Sequence, residues 1–124
     1  MTDGSPARLR LRLLLGDNAM LGPGKADLLA SIRETGSISA AGRAMGMSYK
    51  RAWMLVEEMN TAFVLPLVAS ARGGPGGGGA QLTATGADVL ARFRAIEAAA
   101  ARAGAADIAA LQALLAPGDI PGQR

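Results

Sequence analysis

The stretch Gly36-Ser-Ile-Ser-Ala-Ala-Gly-Arg-Ala-Met-Gly-Met-Ser-Tyr-Lys-Arg-Ala-Trp53 holds two short helical segments separated by a glycine. Ser37 and Ser48 each stand where a hydroxyl can accept a hydrogen bond from an orphan N–H in the first turn of a helix. Ala41 and Met45 share one face of the first helix, and Gly42 is small enough for a second helix to approach closely. Gly46 supplies the turn, because a left-handed backbone costs glycine nothing, and Met47 drops into the core as the chain reverses. From Ser48 to about Phe63, the residues Ala52, Val56, Met59 and Phe63 recur at helical spacing as a buried stripe, with Leu55 beside it. Tyr49 and Lys50 lie off that stripe. Ser48, Tyr49, Lys50 and Arg51 therefore place hydrogen-bonding and cationic groups at a helix start, where the dipole favours phosphate and where recognition helices enter the major groove. The pattern predicts a helix-turn-helix over about residues 37–63. Two ordinary helices with a solvated basic patch would share the glycine turn, so the flanking sequence carries the rest of the reading.

After Phe63 come Leu65-Pro-Leu-Val-Ala-Ser-Ala-Arg72, the run Gly73-Gly-Pro-Gly-Gly-Gly-Gly79, and Ala80-Gln-Leu-Thr-Ala-Thr-Gly86. Pro66 stops the helix, and the two flanks have the length and alternation of short strands around a glycine loop. The reading is a β-hairpin wing over about residues 67–84, with a plain linker as the alternative. A phosphate-cradling loop is not supported, because no Gly-Lys-Ser/Thr follows and no strong strand-to-helix pattern brackets the glycines.

The flanks supply the scaffold. From Arg8 to Leu15 arginine and leucine alternate, which puts leucines on one face of a strand and arginines on the other. Such a strand could pair with the wing or with a twofold mate, and Arg8, Arg10 and Arg12 form either a solvated face or a phosphate contact. Asp17 to Pro23 is rich in turn formers. Lys25 to Glu34 carries Leu28, Leu29 and Ile32 at helical spacing, and Gly36 ends that supporting helix. A long helix from about Thr85 to Arg102 presents Val89, Leu90, Phe93 and Ile96, and beyond Gly104 a short one presents Ile108, Leu111, Leu114 and Leu115. That is more apolar helix than one winged helix needs. Residues 85–115 are accordingly expected to form a homodimer interface through Val89, Leu90, Phe93, Ile96, Ile108 and Leu111, in keeping with twofold DNA sites; packing within the chain is the alternative. The expected fold is mainly α with a small β-sheet, a single winged helix-turn-helix over residues 1–116 followed by a short tail, 117–124.

Composition sets outer bounds. A chain of 124 residues fits one domain, and its few aromatic residues leave the core to Leu, Ala, Met and Val. The net charge of +3 is compatible with a nucleic-acid partner without demanding one. With no Cys and no His, disulfide frameworks and the commonest zinc ligands are excluded, and neither a metal nor a cofactor is implied. No apolar run reaches spanning length and Met1-Thr-Asp-Gly-Ser-Pro6 lacks a signal-peptide pattern, so a cytoplasmic protein without a membrane partner is expected. An enzyme is the least supported class: Glu57 and Glu58 have no nucleophile or His near them in sequence and read as solvated or partner-facing charges.

Ser37-Ile-Ser, Gly46-Met-Ser-Tyr-Lys, Ala52-Trp, Glu58-Met-Asn60, the loop from Gly73 to Ala80 and Leu82-Thr-x-x-Gly86 together resemble the N-terminal domain of the ModE molybdate-responsive regulators, over about residues 8–115. The Leu-Thr-x-x-Gly start of the long helix is also similar to LysR-type regulators, whose N-terminal domains lack this glycine loop. The ModE resemblance implies a dimeric winged-helix transcription factor acting on double-stranded DNA, tied to molybdenum-related genes. Family wings carry a basic residue within the glycine run where this chain has Pro75, leaving Arg72 as the nearest cation. Full-length members continue into oxyanion-sensing domains; the residues after Pro117 are too few for one, so any sensing is expected from a separate sensor protein or the dimer interface. DNA contacts are assigned to Ser37, Arg43, Ser48, Tyr49, Lys50, Arg51, Met54 and Arg72. Trp53 is expected to pack against the supporting helix or the wing. A protein-interaction adaptor of the same fold and an oxyanion-binding dimer are the alternative functions.

Overall fold

The computed structural model describes residues 6–71 and 79–117. The chain opens with a hairpin, β1 (Leu13–Gly16) and β2 (Ala19–Leu21), followed by α1 (Pro23–Thr35), α2 (Ile38–Ala44) and α3 (Tyr49–Ala62). A second hairpin, β3 (Val68–Ala71) and β4 (Gly79–Leu82), leads into α4 (Ala84–Ala103) and α5 (Ala105–Ala113). Both sheets are two-stranded and antiparallel, and they do not join. This is the mainly α fold with a little β structure that the sequence implies.

The N-terminal strand differs from the expectation. It starts at Leu13 instead of Arg8 and pairs with Ala19–Leu21, inside the segment read as turns, and not with the wing. Asp17-Asn18 reverses the chain at once, and the nearest available edge is the chain's own next three residues. Arg8, Arg10 and Arg12 are exposed ahead of the strand.

α1 begins with Pro23 in its first turn, where the missing N–H costs nothing. It ends at Gly36, whose φ of 72° places it in the left-handed region while its N–H bonds to the Ile32 carbonyl. The core forms around this helix: Leu28, Leu29 and Ile32 are fully buried against Ala41, Ala52, Val56 and Met59 from the helix pair and Leu67, Val68 and Ala80 from the second hairpin. α4 closes the other side. Its Leu90 and Phe93 are 3% and 1% exposed, so these two residues, expected at a dimer interface, belong to the core of the single chain. The reason is that α4 lies along α1, and burying both side chains there contributes about 1.5–3 kcal/mol each. Arg94 reinforces the contact with a 2.8 Å bond to Asp27 of α1, while Glu97 on α4 itself holds the guanidinium at 3.1 Å. The bond to Asp27, before the smaller effects around it, raises the Arg94 pKa above its ordinary value. Val89 packs at the core margin. Ile96 and Leu111 are exposed and Ile108 half-buried, so the outward apolar surface of the C-terminal helices runs through Ile96 and Leu111 to Leu114 and Leu115.

Among the described residues, no helix is long and apolar enough to cross a membrane, and no cluster of three or more His, Cys, Asp or Glu could hold a metal ion.

Candidate nucleic-acid interface

The helix pair is set by two caps and two glycines. The Ser37 hydroxyl accepts from the Ala40 N–H at 3.0 Å and the Ser48 hydroxyl from the Arg51 N–H at 3.1 Å, so each helix starts at the residue after its serine. Between them Gly46 adopts φ 73°, and the Met47 N–H returns to the Gly42 carbonyl at 2.9 Å. A Cβ on Gly42 would stand 3.0 Å from that of Ala52, so a larger residue there would push α3 away from α2. These contacts fix the direction in which α3 leaves the turn.

That direction turns the start of α3 outward. Ser48, Tyr49, Lys50, Arg51 and Met54 are all exposed, while Ala52, Val56 and Met59 face the core. Lys50 and Arg51 form no ion pair among the described residues. Arg43 is exposed on α2, where its guanidinium donates to the Ser39 hydroxyl at 2.9 Å. Ser37 is half-buried, its oxygen engaged in the cap. Arg72 lies outside the described residues.

Trp53 departs from the expectation. It is 45% exposed, so it is not buried beneath the supporting helix or the wing. One residue separates it from the buried stripe, which on a helix is a rotation of about 100° toward solvent. With Met54, Glu57 and Glu58 it lines an open groove of about 660 Å³ whose other wall is the tip of the first hairpin, Asn18 and Ala19. The two acids differ. Glu58 pairs with Lys25 at 3.3 Å, and the same ammonium donates to the Met20 carbonyl at 3.1 Å, tying hairpin, α1 and α3 together. Glu57 has no ion pair among the described residues and is exposed. This groove joins residues far apart in the chain, and no local pattern announces it.

The wing is anchored at its base to three elements. Asn60, on the last turn of α3, accepts from the N–H groups of Leu67 and Val68 at 2.8 and 3.1 Å and donates to the Val68 carbonyl at 3.1 Å. β4 is held to the end of α1 by the Ala80 N–H on the Gly36 carbonyl at 2.9 Å. Thr83 then bonds through its N–H to Leu67 and through its hydroxyl to the Pro66 carbonyl, while that same oxygen caps α4 by accepting from Gly86. The Asn60 and Thr83-x-x-Gly86 motifs thus position the wing relative to the helix pair. Residues 72–78, which join the two wing strands, lie outside the described residues.

A helix-turn-helix with an exposed polar helix start, backed by a hairpin wing bonded to it, defines a winged-helix domain. The crystal structure of a CbnR DBD-DNA complex shares this fold, with a TM-score of 0.55 over 71% of this chain and 95% of that one at 23% identity. In sequence the chain is 49% identical over 84 residues to the molybdenum-pterin-binding protein MopB of Rhodobacter capsulatus. It is 44% identical over 80 residues to the transcriptional regulator ModE of Yersinia pestis, and 42% over 80 residues to the DNA-binding transcriptional dual regulator ModE of Escherichia coli K12. These matches cover 68%, 64% and 64% of this chain but only 31%, 30% and 30% of the relatives, so the chain corresponds to about a third of their length. No family model matches the chain. The domain is a winged helix whose sequence is similar to a part of the ModE and MopB proteins, in keeping with the motifs from Ser37 to Gly86.

Proposed function

We propose that this domain is the DNA-reading part of a transcriptional regulator of molybdenum-related genes, acting as a homodimer on a twofold-related duplex site. The outward first turn of α3 carries the reading: Ser48, Tyr49, Lys50 and Arg51 are exposed together on a helix held rigidly by its partner helix and by the wing. The names of the relatives, which include DNA-binding regulators and molybdenum proteins, support it. The exposed apolar residues Ile96, Leu111, Leu114 and Leu115 support a second copy on the C-terminal helices, since isologous dimers match dyad-symmetric operators. Arg43 and Tyr49 are assigned to phosphates, and Lys50 and Arg51 to guanine edges or phosphates.

Footprinting on the DNA upstream of the gene, repeated across salt concentrations and paired with sedimentation, tests this. The expected result is a dimer protecting two half-sites about one helical turn apart, about 34–36 Å, with log affinity falling linearly in log salt. A monomer that protects no dyad-symmetric site at low salt overturns it. An affinity indifferent to salt would point instead to a protein partner.

Lys50→Ala and Arg51→Ala should each weaken binding while leaving the unfolding midpoint unchanged, because both side chains are exposed. Loss of a base contact costs about 1–3 kcal/mol and relaxes one position, whereas loss of a phosphate contact weakens all duplexes alike and reduces the salt slope by about one. Competition binding on a panel of operator variants separates the two. Wild-type affinity in both variants removes this surface from the mechanism.

A further inference from the structure

We propose that Glu57 determines sequence preference by accepting a hydrogen bond from the exocyclic amino group of a cytosine in the major groove, an inference that rests on the DNA reading above. Glu57 follows Lys50 by seven residues, which on an α-helix is two turns less about 20°, so both project from nearly the same face. Met54 lies between them on that face and is also exposed. The rise from Lys50 to Glu57 is about 10 Å, the span of roughly three base-pair steps. A duplex engaged by the first turn of α3 and followed along this face therefore comes to Glu57 next.

Two observations leave the Glu57 carboxylate available to a partner on this face. Its neighbour Glu58, about 100° further round the helix, is tied to Lys25, whereas Glu57 forms no ion pair among the described residues. Glu57 also lines the open groove between α3 and the tip of the first hairpin, continuous with Trp53 and Met54. An unneutralised carboxylate there repels phosphate, and the base-edge donor that suits it best is the N4 amino group of cytosine, since the N6 donor of adenine stands beside the N7 acceptor. The same charge lowers affinity for duplexes lacking that donor, so it sharpens discrimination by penalising the wrong partners.

The test is selection from a pool of randomised duplexes by wild type, Glu57→Gln, Glu57→Ala and Glu58→Gln, followed by affinity measurement on the selected sequences. Wild type should enrich a C·G pair at one position of each half-site, preferring it over A·T by about tenfold or more. Glu57→Gln should move that position toward A·T, since a carboxamide pairs with the N6 and N7 atoms of adenine. Glu57→Ala should relax it and leave the positions read by the first turn of α3 intact. Glu58→Gln should select the wild-type sequence. The inference is overturned if all variants select the same sequence, if Glu57→Ala strengthens every duplex equally, or if Glu58→Gln shifts preference as much as Glu57→Gln. A wild type that enriches no sequence overturns the DNA reading itself, and this inference with it.

Discussion

Gly86→Ala is expected to destabilise the domain by about 3 kcal/mol or more, although the same change in an exposed helix stabilises by about 0.8–1 kcal/mol. The sign reverses because a Cβ at Gly86 would overlap the backbone of Leu67, its carbonyl oxygen above all. No side-chain rotation relieves that overlap. The Leu67 N–H is bound to Asn60, its carbonyl accepts from the Thr83 N–H, and its side chain is fully buried. Either α4 moves off the wing or the wing moves off α3. Urea unfolding should show a lower midpoint at unchanged slope. Gly24→Ala is the control: it sits exposed in α1, a Cβ there meets nothing within 4 Å, and the change should be neutral or mildly stabilising. A Gly86→Ala variant as stable as wild type would mean that α4 and the wing base are not in this contact.

The parts of the fold that were legible in the sequence are those set by interactions within one or two helical turns. The caps at Ser37 and Ser48, the left-handed turns at Gly36 and Gly46, and the stripe through Ala52, Val56 and Met59 depend on residues three or four apart. Sequence and structure part where an element has to choose its partner. Alternation from Arg8 to Leu15 assigned faces but not a pairing edge, and the edge used, Ala19–Leu21, is three residues long among turn formers. Leu90 and Phe93 were recognisable as apolar and in need of cover, yet periodicity does not distinguish cover by α1 from cover by another copy. Trp53 stands next to the buried stripe, which suggests packing against the supporting helix or the wing, but one residue of helical rotation leaves it 45% exposed. The exposed start of α3, from Ser48 to Arg51, follows from the buried stripe by elimination, so that part of the candidate site was readable. The groove beside Glu57 and the anchoring by Asn60 require the two hairpins to be placed against α3, and no spacing rule encodes that.

Asn60→Ala should cost about 2–4 kcal/mol, since a half-buried carboxamide making three hydrogen bonds is replaced by a group that makes none. The larger share comes from the N–H groups of Leu67 and Val68, two buried residues left without that acceptor, because stranded buried donors cost more than the net value of the bonds themselves. Asn60→Asp gives the graded comparison. It keeps an acceptor for both N–H groups but sets a carboxylate against the Val68 carbonyl, to which the amide had donated, so its stability should fall between wild type and Asn60→Ala. The functional consequence separates a docked wing from a merely stable one. Asn60 is the direct side-chain tie from α3 to the wing, so at a temperature where the alanine variant remains folded its DNA affinity should still fall, with the salt slope shrinking by about one for each phosphate contact the displaced wing no longer makes. Lys50→Ala, by contrast, should lower affinity with no change in unfolding midpoint. If Asn60→Ala loses stability while binding every duplex as wild type does, the wing is scaffold alone, and the DNA surface contracts to the helix pair.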